Sequence, residues 1–334
     1  MRPFEEKVNI VFCCDDRFLP YTSTAILSLV EHADKKRDYC IHLFHESIPG
    51  KRVDKVKKEL SAYSNVQIET HDMKGSFKGS FISRHLSKAS YYRLAIPRML
   101  KNCHRAIYLD SDIIVLSDVS RLYDFDLGGS CIAGAQDSIL LFGARSRKVP
   151  EMNNMIHYDY LAEYLKLSAE SIPLYINSGV LLMDLDKIRQ SGKDIKLLEG
   201  SKKKYAMLDQ DVINSIFRND DHQILSYSWN YPAVDDYPEA NYLKESSTRY
   251  DKYYRDFFES KNDLKILHYI GRKPWQALGR KQGYNPFFWQ FAQKSIFCME
   301  ISMKRYLFLL KRLFTKRFRK ELRAVLRNQS TKTT

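Results

Sequence analysis

A chain of 334 residues that is 44% hydrophobic and carries 22 Tyr and 18 Phe can bury a large core, which excludes a disordered chain and suits one large α/β domain with an appendage. Its formal net charge of +14 invites nucleic acid, but residues 304–327 hold ten Lys or Arg against Glu321 alone, and no base-reading motif accompanies them, so nucleic acid is excluded as a partner. Six cysteines without a C-x-x-C pair, an N-terminus without an apolar leader and no run near the roughly 20 apolar residues of a membrane span predict a reducing, cytoplasmic location.

Along the chain, short β-branched apolar runs alternate with helical patterns. VNIVFCC, YCIHLFH, VQIET and RAIYLD read as strands, with helices after Pro20, from Gly50 and over 89–99. This is the βαβαβ signature of a largely parallel, doubly wound sheet. CIAGAQ, YINSGVLLMDL and LKILHYI predict further strands, and 184–190 and 209–217 predict helices. Residues 138–171 lack periodicity and suggest an inserted loop or lid. Beyond Gly283 a helix-forming stretch of Phe, Leu, Lys and Arg begins, so the expected division is a catalytic domain over 1–280 and a helical tail over 281–334.

Ligands of open α/β sheets gather at the carboxyl ends of the strands, where Asp15-Asp16, Asp110-Ser111-Asp112 and Asn177-Ser178-Gly179 stand. In extended chain, residues i and i+2 share a side, so Asp110 and Asp112 can approach one cation. Three other D-x-D pairs occur, beginning at Asp124, Asp184 and Asp209, and turns or helix caps account for most such pairs. The pair at Asp110 differs in being framed by apolar runs. Burying two unpaired carboxylates costs several kcal/mol each and like charges repel, which a cation relieves and which a capping turn would avoid.

NIVFCCDDRF, SKASYYRLAIP, AIYLDSDIIV, YINSGVLLMDL, LDQDVIN and LHYIGRKPW follow one another up to residue 275. Together they resemble glycosyltransferase family 8, the retaining sugar transferases that include bacterial lipopolysaccharide galactosyl- and glucosyltransferases and the glycogenins. The resemblance implies a GT-A fold, in which Asp110, Asp112 and His268 hold Mn²⁺, or Mg²⁺, against the diphosphate of UDP-galactose or UDP-glucose. It implies that Asp15 contacts the uracil with Asp16 beside it, and that Arg93 reaches towards the donor. Gly271 would permit close approach of the backbone to the diphosphate, and Lys273 or Arg272 would meet its charge. Asn177, Asp209 and Gln210 would face the transferred sugar. An amide is a poor nucleophile, so Gln210 points to same-face substitution through an oxocarbenium-like state and an α-linkage. On residue type alone, Arg93 would be a surface helix residue, His268 an ordinary half-buried histidine and Asp209 a helix cap.

On a 100° wheel Leu307, Leu310, Phe314, Phe318, Leu322 and Val325 share one side, with Arg305, Arg312, Lys316, Arg319, Arg323 and Arg327 mostly opposite. Such a helix suits an anionic membrane surface, which predicts a peripheral enzyme on the inner face of a bacterial membrane acting on a lipid-linked glycan. The alternative for the stripe is packing against the catalytic domain. For the whole chain, the other readings are a non-catalytic sugar-nucleotide or membrane-binding module, against which Asp110, Asp112 and His268 speak, and a metal-dependent nucleotidyltransferase acting on nucleoside triphosphates.

Overall fold

Seven strands form the central sheet of the computed structural model, which describes residues 7–81, 88–138, 147–234, 251–279 and 283–312. Strands β1 (Val8–Cys14), β2 (Tyr39–His45) and β3 (Val66–Asp72) pair in parallel, linked by helices α1 (Leu19–His32) and α2 (Gly50–Leu60). Strand β1 is covered on both faces, which explains a run that is apolar but for Asn9. Strand β3 is the edge, and its residues are only half-buried or exposed.

The helix expected over 89–99 is broken into α3 (Ala89–Tyr92), a 3-10 turn at Arg93–Ala95 and α4 (Ile96–Met99). Pro97 has no N–H to offer the Arg93 carbonyl, so the ladder resets there. Strand β4 (Arg105–Leu109) pairs in parallel with the free side of β1. The apolar run after Asp112 is β5 (Ile113–Val115), which leaves the main sheet.

Strand β6 (Ile132–Gln136) is followed by the aperiodic segment, whose residues 139–146 lie outside the described residues. The rest of that segment is not a bare loop. It holds a two-residue pairing of β7 (Lys148–Val149) with β8 (Met155–Ile156) and irregular turns that bury Tyr160, Leu161, Leu165 and Ile172. Burial there is set by tertiary contact without a helical or strand period. Strand β9 (Ile176–Asp184) then runs antiparallel to both β4 and β6. Helix α5 (Leu185–Gln190) follows, capped by Asp184, whose Oδ1 accepts from the Lys187 N–H at 2.8 Å.

After helix α6 (Leu208–Ile216), strand β10 (His222–Leu225) completes the order β10-β6-β9-β4-β1-β2-β3. Strand β10 leaves no clear sequence signal, since its HQIL is short and only half apolar. Strands β11 (Tyr231–Pro232) and β12 (Ile266–His268) form a small second sheet with β5.

The C-terminal stretch supplies helices α7 (Asn285–Ala292) and α8 (Cys298–Arg312). Phe288, Trp289 and Phe291 of α7 join the core around α1, and the start of α8 follows them with Phe297 and Ile301 buried. Arg305, expected on a solvated basic face, instead donates to the Ala277 carbonyl at 3.1 Å. The outer side of α8 stays apolar and open: Met299 is 82% exposed, and Met303, Tyr306, Leu307 and Leu310 are exposed too. Phe314, Phe318, Leu322 and Val325 lie outside the described residues. Among those described, no helix is long and apolar enough to cross a membrane.

Candidate active site

The peptide after β4 answers why two charges interrupt an apolar run. Strand β4 ends at Leu109, the next three residues turn, and β5 begins directly in antiparallel register with β12, pairing Ile113 with His268. The Tyr269 N–H also donates to the Asp112 carbonyl at 3.0 Å. The apolar strands on either side are thus the clamp that sets an imidazole against two carboxylates. His268 Nε2 lies 3.5 Å from Asp110 Oδ2 and 3.4 Å from Asp112 Oδ1. The three ligand atoms lie within 4.8 Å of one another.

His268 is aimed by its other nitrogen. Its Nδ1 is 2.9 Å from Asn230 Oδ1, and the Asn230 amide donates at 3.0 Å to Asn177 Oδ1. That leaves Nε2 facing the carboxylates, the outer partner fixing the ring. Gly179 gives the ring its room. A Cβ on it would come 2.2 Å from His268 Cε1 and 2.9 Å from Asp110 Oδ2, closer than side-chain carbons approach.

The antiparallel run of β9 corrects one expectation. Asn177, Ser178 and Gly179 stand at the start of their strand, not at a carboxyl end. Because β9 runs against β4, its start still lies at the ligand edge, with the Asp110 N–H donating to the Gly179 carbonyl at 2.8 Å.

Arg93 is no surface residue: it is 5% exposed and sits at the centre of the network. Its guanidinium meets Asp110 Oδ1 at 2.8 Å and Asp209 Oδ2 at 3.1 Å, donates to the Ser178 carbonyl at 2.7 Å and lies over the Tyr108 ring. Burial works against its charge, yet Asp110 and Asp209 overcome this and raise its pKa further. Asp209 sits within α6 and accepts from Ser178 Oγ at 3.0 Å; burial raises its carboxyl although Arg93 opposes this. It does not cap the helix. Gln210 is held at both ends of its amide, with Oε1 accepting from the Ser178 N–H at 3.1 Å and Nε2 donating to Asp137 Oδ2 at 2.9 Å. Asn177 Nδ2 reaches the same Asp137 oxygen at 3.1 Å.

A cavity of about 300 Å³ opens in front of this network, lined among others by Asp15, Arg93, Asp110, Asp112 and Lys273. The Lys273 ammonium contacts Asp112 Oδ2 and the Tyr269 carbonyl. Burial pushes the Asp112 carboxyl up, but Lys273 and His268 outweigh it and hold the group well below the usual carboxylate range. Asn177, Asp209 and Gln210 stand next to the cavity lining, with Ser178 tying Asp209 and Gln210 to Arg93.

Two of the expected residues are not part of the cavity lining. Asp16 is paired with Arg52 at 2.7 Å and does not line the cavity, and Gly271 is exposed with open space where its Cβ would be. Arg272 is exposed as well, whereas Lys273 lines the cavity. The other D-x-D residues, Asp209 apart, perform ordinary tasks. Asp124 pairs with Arg37, Asp126 accepts from the Gly128 N–H, Asp184 caps α5, and Asp211 accepts from Tyr160 and Tyr175. Asn230 and Asp137, which orient the site, were missed. They are single polar residues outside any motif, Asp137 just past β6 and Asn230 just before β11.

The family described as glycosyl transferase family 8 matches residues 9–279. General stress protein A of Bacillus subtilis is 25% identical over 82% of this chain and 89% of its own length. Glycosyltransferase GlyB of Streptococcus pneumoniae is 30% identical over 82% of this chain, which spans 59% of that protein. Among solved structures, the bifunctional glycosyltransferase WbbM superposes with a TM-score of 0.75 at 22% identity, over 91% of this chain and 53% of that one. The galactosyltransferase LgtC, solved with donor and acceptor sugar analogs, gives 0.64 at 22% identity over 86% and 96%.

Proposed function

The chain belongs to glycosyltransferase family 8 and has a GT-A fold, and from that premise we propose that it is a retaining hexosyltransferase. It moves galactose or glucose from a UDP-sugar to a glycan acceptor such as lipopolysaccharide core, forming an α-linkage. The observation that carries this reading is the meeting of Asp110, Asp112 and His268 at one edge of a cavity large enough for part of a nucleotide sugar. Two carboxylates and one imidazole are the donor set that suits Mn²⁺, with Mg²⁺ as second choice, and their 3.4–3.5 Å separations are close to the roughly 3 Å between adjacent ligands of a six-coordinate ion. Such a cation supplies neutralisation of a departing diphosphate.

The chain's own groups do the rest. Lys273, at the cavity wall, adds a positive charge for the diphosphate, and Asp15, also at that wall, contacts the base. Arg93 holds Asp110 and Asp209 in place and keeps both charged groups balanced inside a buried network. Asp209 and Asn177 position sugar hydroxyls. The Gln210 amide, fixed by Ser178 and Asp137, supports the oxocarbenium-like state without forming a covalent intermediate. The acceptor hydroxyl attacks from the side on which UDP leaves, and its proton passes to the departing phosphate oxygen.

The open apolar side of α8, continued by the basic residues beyond it, supports peripheral attachment to an anionic membrane that carries the acceptor. Incubating the purified protein with Mn²⁺ and a panel of UDP-sugars tests the activity; release of UDP with one or two donors is expected, and no release with any of them overturns it. Removing residues 313–334 keeps buried Ile301 and the Arg52–Glu300 pair, so the shortened chain should remain folded, keep its activity on a soluble acceptor and lose sedimentation with anionic vesicles. Vesicle binding that survives this cut refutes the membrane role of the tail.

A further inference from the structure

Helix α6 carries Asp209, Gln210 and Asp211 in succession, and the function proposed above employs only the first two. Asp209 and Gln210 are joined to the cavity lining through Ser178, whereas Asp211 is 0% exposed and lies against Tyr160 and Tyr175. An apolar side chain would fill that place without the cost of burying a charge. What the carboxylate adds is a direction to the hydrogen bonds around it.

Every bond at Asp211 runs inward. Its Oδ2 accepts from the Met207 N–H and from the Tyr160 hydroxyl, both at 2.7 Å, and its Oδ1 accepts from the Tyr175 hydroxyl at 2.6 Å. Burial raises its carboxyl to about 6, and above that pH it is an acceptor only. The single proton of the Tyr175 hydroxyl is therefore committed to Asp211, and the lone pairs of its oxygen are left for another partner. That partner is Gln210, whose Nε2 donates to the Tyr175 oxygen at 3.3 Å and to Asp137 Oδ2 at 2.9 Å.

A side-chain amide has two ends alike in shape and opposite in polarity, and a half-turn of its last bond exchanges them. Around Gln210 two acceptors meet the nitrogen, and the Ser178 N–H donates to Oε1 at 3.1 Å, so only one of the two placements satisfies all three partners. The acceptors are themselves tied together, since the Asp137 N–H donates to the Tyr175 carbonyl at 3.0 Å. The difference between the ends matters for a positively charged transition state, which the oxygen end of the amide dipole stabilises and the nitrogen end opposes.

We propose that Tyr175 and Asp211 are positioning residues for sugar transfer: Asp211 sets the direction of the Tyr175 hydroxyl, and Tyr175 fixes which end of the Gln210 amide serves the donor sugar. The proposal rests on the supporting role of Gln210 described above. Two substitutions separate its parts. Tyr175→Phe deletes one bond to Gln210. In Asp211→Asn the Met207 N–H and the Tyr160 hydroxyl, whose own oxygen accepts from the Ala206 N–H, hold the amide oxygen, so the new NH₂ faces Tyr175 and turns that hydroxyl's proton against Gln210 Nε2.

The test measures Mn²⁺-dependent UDP release from whichever of UDP-galactose and UDP-glucose the full chain turns over faster, at a pH above the raised pKa of Asp211. Tyr175→Phe should lower kcat about 3-fold and Asp211→Asn about 5-fold, as much as Gln210→Ala, with native circular dichroism and a donor KM changed by less than about 2-fold. Added to Gln210→Ala, neither should lower kcat further, because the group through which they act is gone. Tyr160→Phe removes an equally buried hydroxyl from the same carboxylate without touching Gln210 and should leave kcat unchanged. Losses that multiply in the double variants, or a Tyr160→Phe loss equal to that of Tyr175→Phe, overturn the proposal, whereas Gln210→Ala with native turnover defeats the role of Gln210 on which it rests. The side-chain amide NMR signal of Gln210, assigned by its loss in Gln210→Ala, gives a reading free of catalysis. Tyr175→Phe should shift one of its two Nε2 protons and Tyr160→Phe neither; a signal indifferent to Tyr175→Phe overturns the proposal whatever the kinetics.

Discussion

Asp112 and Lys273 touch across 161 residues of chain, whereas His42 and Glu69 come from adjacent strands whose pairing alone sets them side by side. The first cluster lies inside the molecule among Arg93, Tyr108, Ser178 and Asn230, and nearly every polar atom in it has a partner. The second sits at an open edge, where Glu69 is 58% exposed on its side chain. A buried assembly of charges keeps its geometry only because each member is held by another, so a change to one member propagates. At the edge, water substitutes for a lost partner.

The largest effect that would sharpen this contrast is expected at Asp112. Asp112→Ala should reduce transfer roughly 10³-fold, the several kcal/mol that a bound cation supplies, while thermal unfolding still shows a cooperative transition. Excess EDTA should act likewise on the native chain, and full activity in its presence would break the metal reading.

Gly179→Ala comes next. The new Cβ would stand 2.2 Å from His268 Cε1, so the ring must move, and a displacement of about 1 Å at a reacting centre costs roughly 10²-fold in kcat. A variant with native kcat would mean that the ring's place is not fixed by this wall.

Gln210→Ala should slow turnover by about 5-fold without stopping it, because a supporting hydrogen bond contributes about 1 kcal/mol. Mass spectrometry of stalled reactions should find no sugar on Gln210, and the product's coupling constants should report an α-linkage.

Asp211 probes the wall by pH. Burial raises its carboxyl from 3.8 to about 6 despite donors from Tyr175, Met207 and Tyr160. The folded chain therefore keeps a proton there that the unfolded chain releases, so the stability this group contributes is full below 3.8 and is lost as pH rises through about 6. Asp211→Asn cannot titrate, and the advantage of the native chain over it should shrink by roughly 1–3 kcal/mol between pH 4 and 7. A constant difference in unfolding free energy across that range would contradict the assignment.

The smallest effect belongs to the edge. In metal-free buffer Glu69→Gln should move Tm by no more than about 1 °C, as expected of an exposed carboxylate. A drop of several degrees would show that the edge cluster is bound as tightly as the buried one.

What could be read from the residues alone follows the same division. Strands β1 and β2 were legible to the residue, because covered parallel strands must be apolar throughout. Asp110 and Asp112 were legible because charges inside such runs need a reason. The direction of β9 was not, since pairing to β4 and β6 is decided by partners distant in sequence. Asp15 and Asp16 looked alike at one strand end, yet neighbouring side chains point to opposite sides, and only Asp15 lines the cavity while Asp16 turns to Arg52. Arg93 reads as a surface residue until the 3-10 turn before Pro97 swings it inward.

The contacts of α8 with the start of the chain have a consequence in time. Lys304 donates to the Arg17 carbonyl across 287 residues, and Glu300 shares Arg52 with Asp16, so the loop that carries Asp15 into the cavity is braced by the last described helix. On a ribosome adding about 5–20 residues per second, that brace arrives roughly 15–60 s after the loop itself is made. Closing so long a stretch of chain is slow compared with local folding, which makes the mouth of the cavity one of the last features to mature. Nascent chains stalled before residue 285 should be cut by protease in the 15–18 loop, and chains released whole should resist; equal resistance in both would place the closing of the mouth earlier.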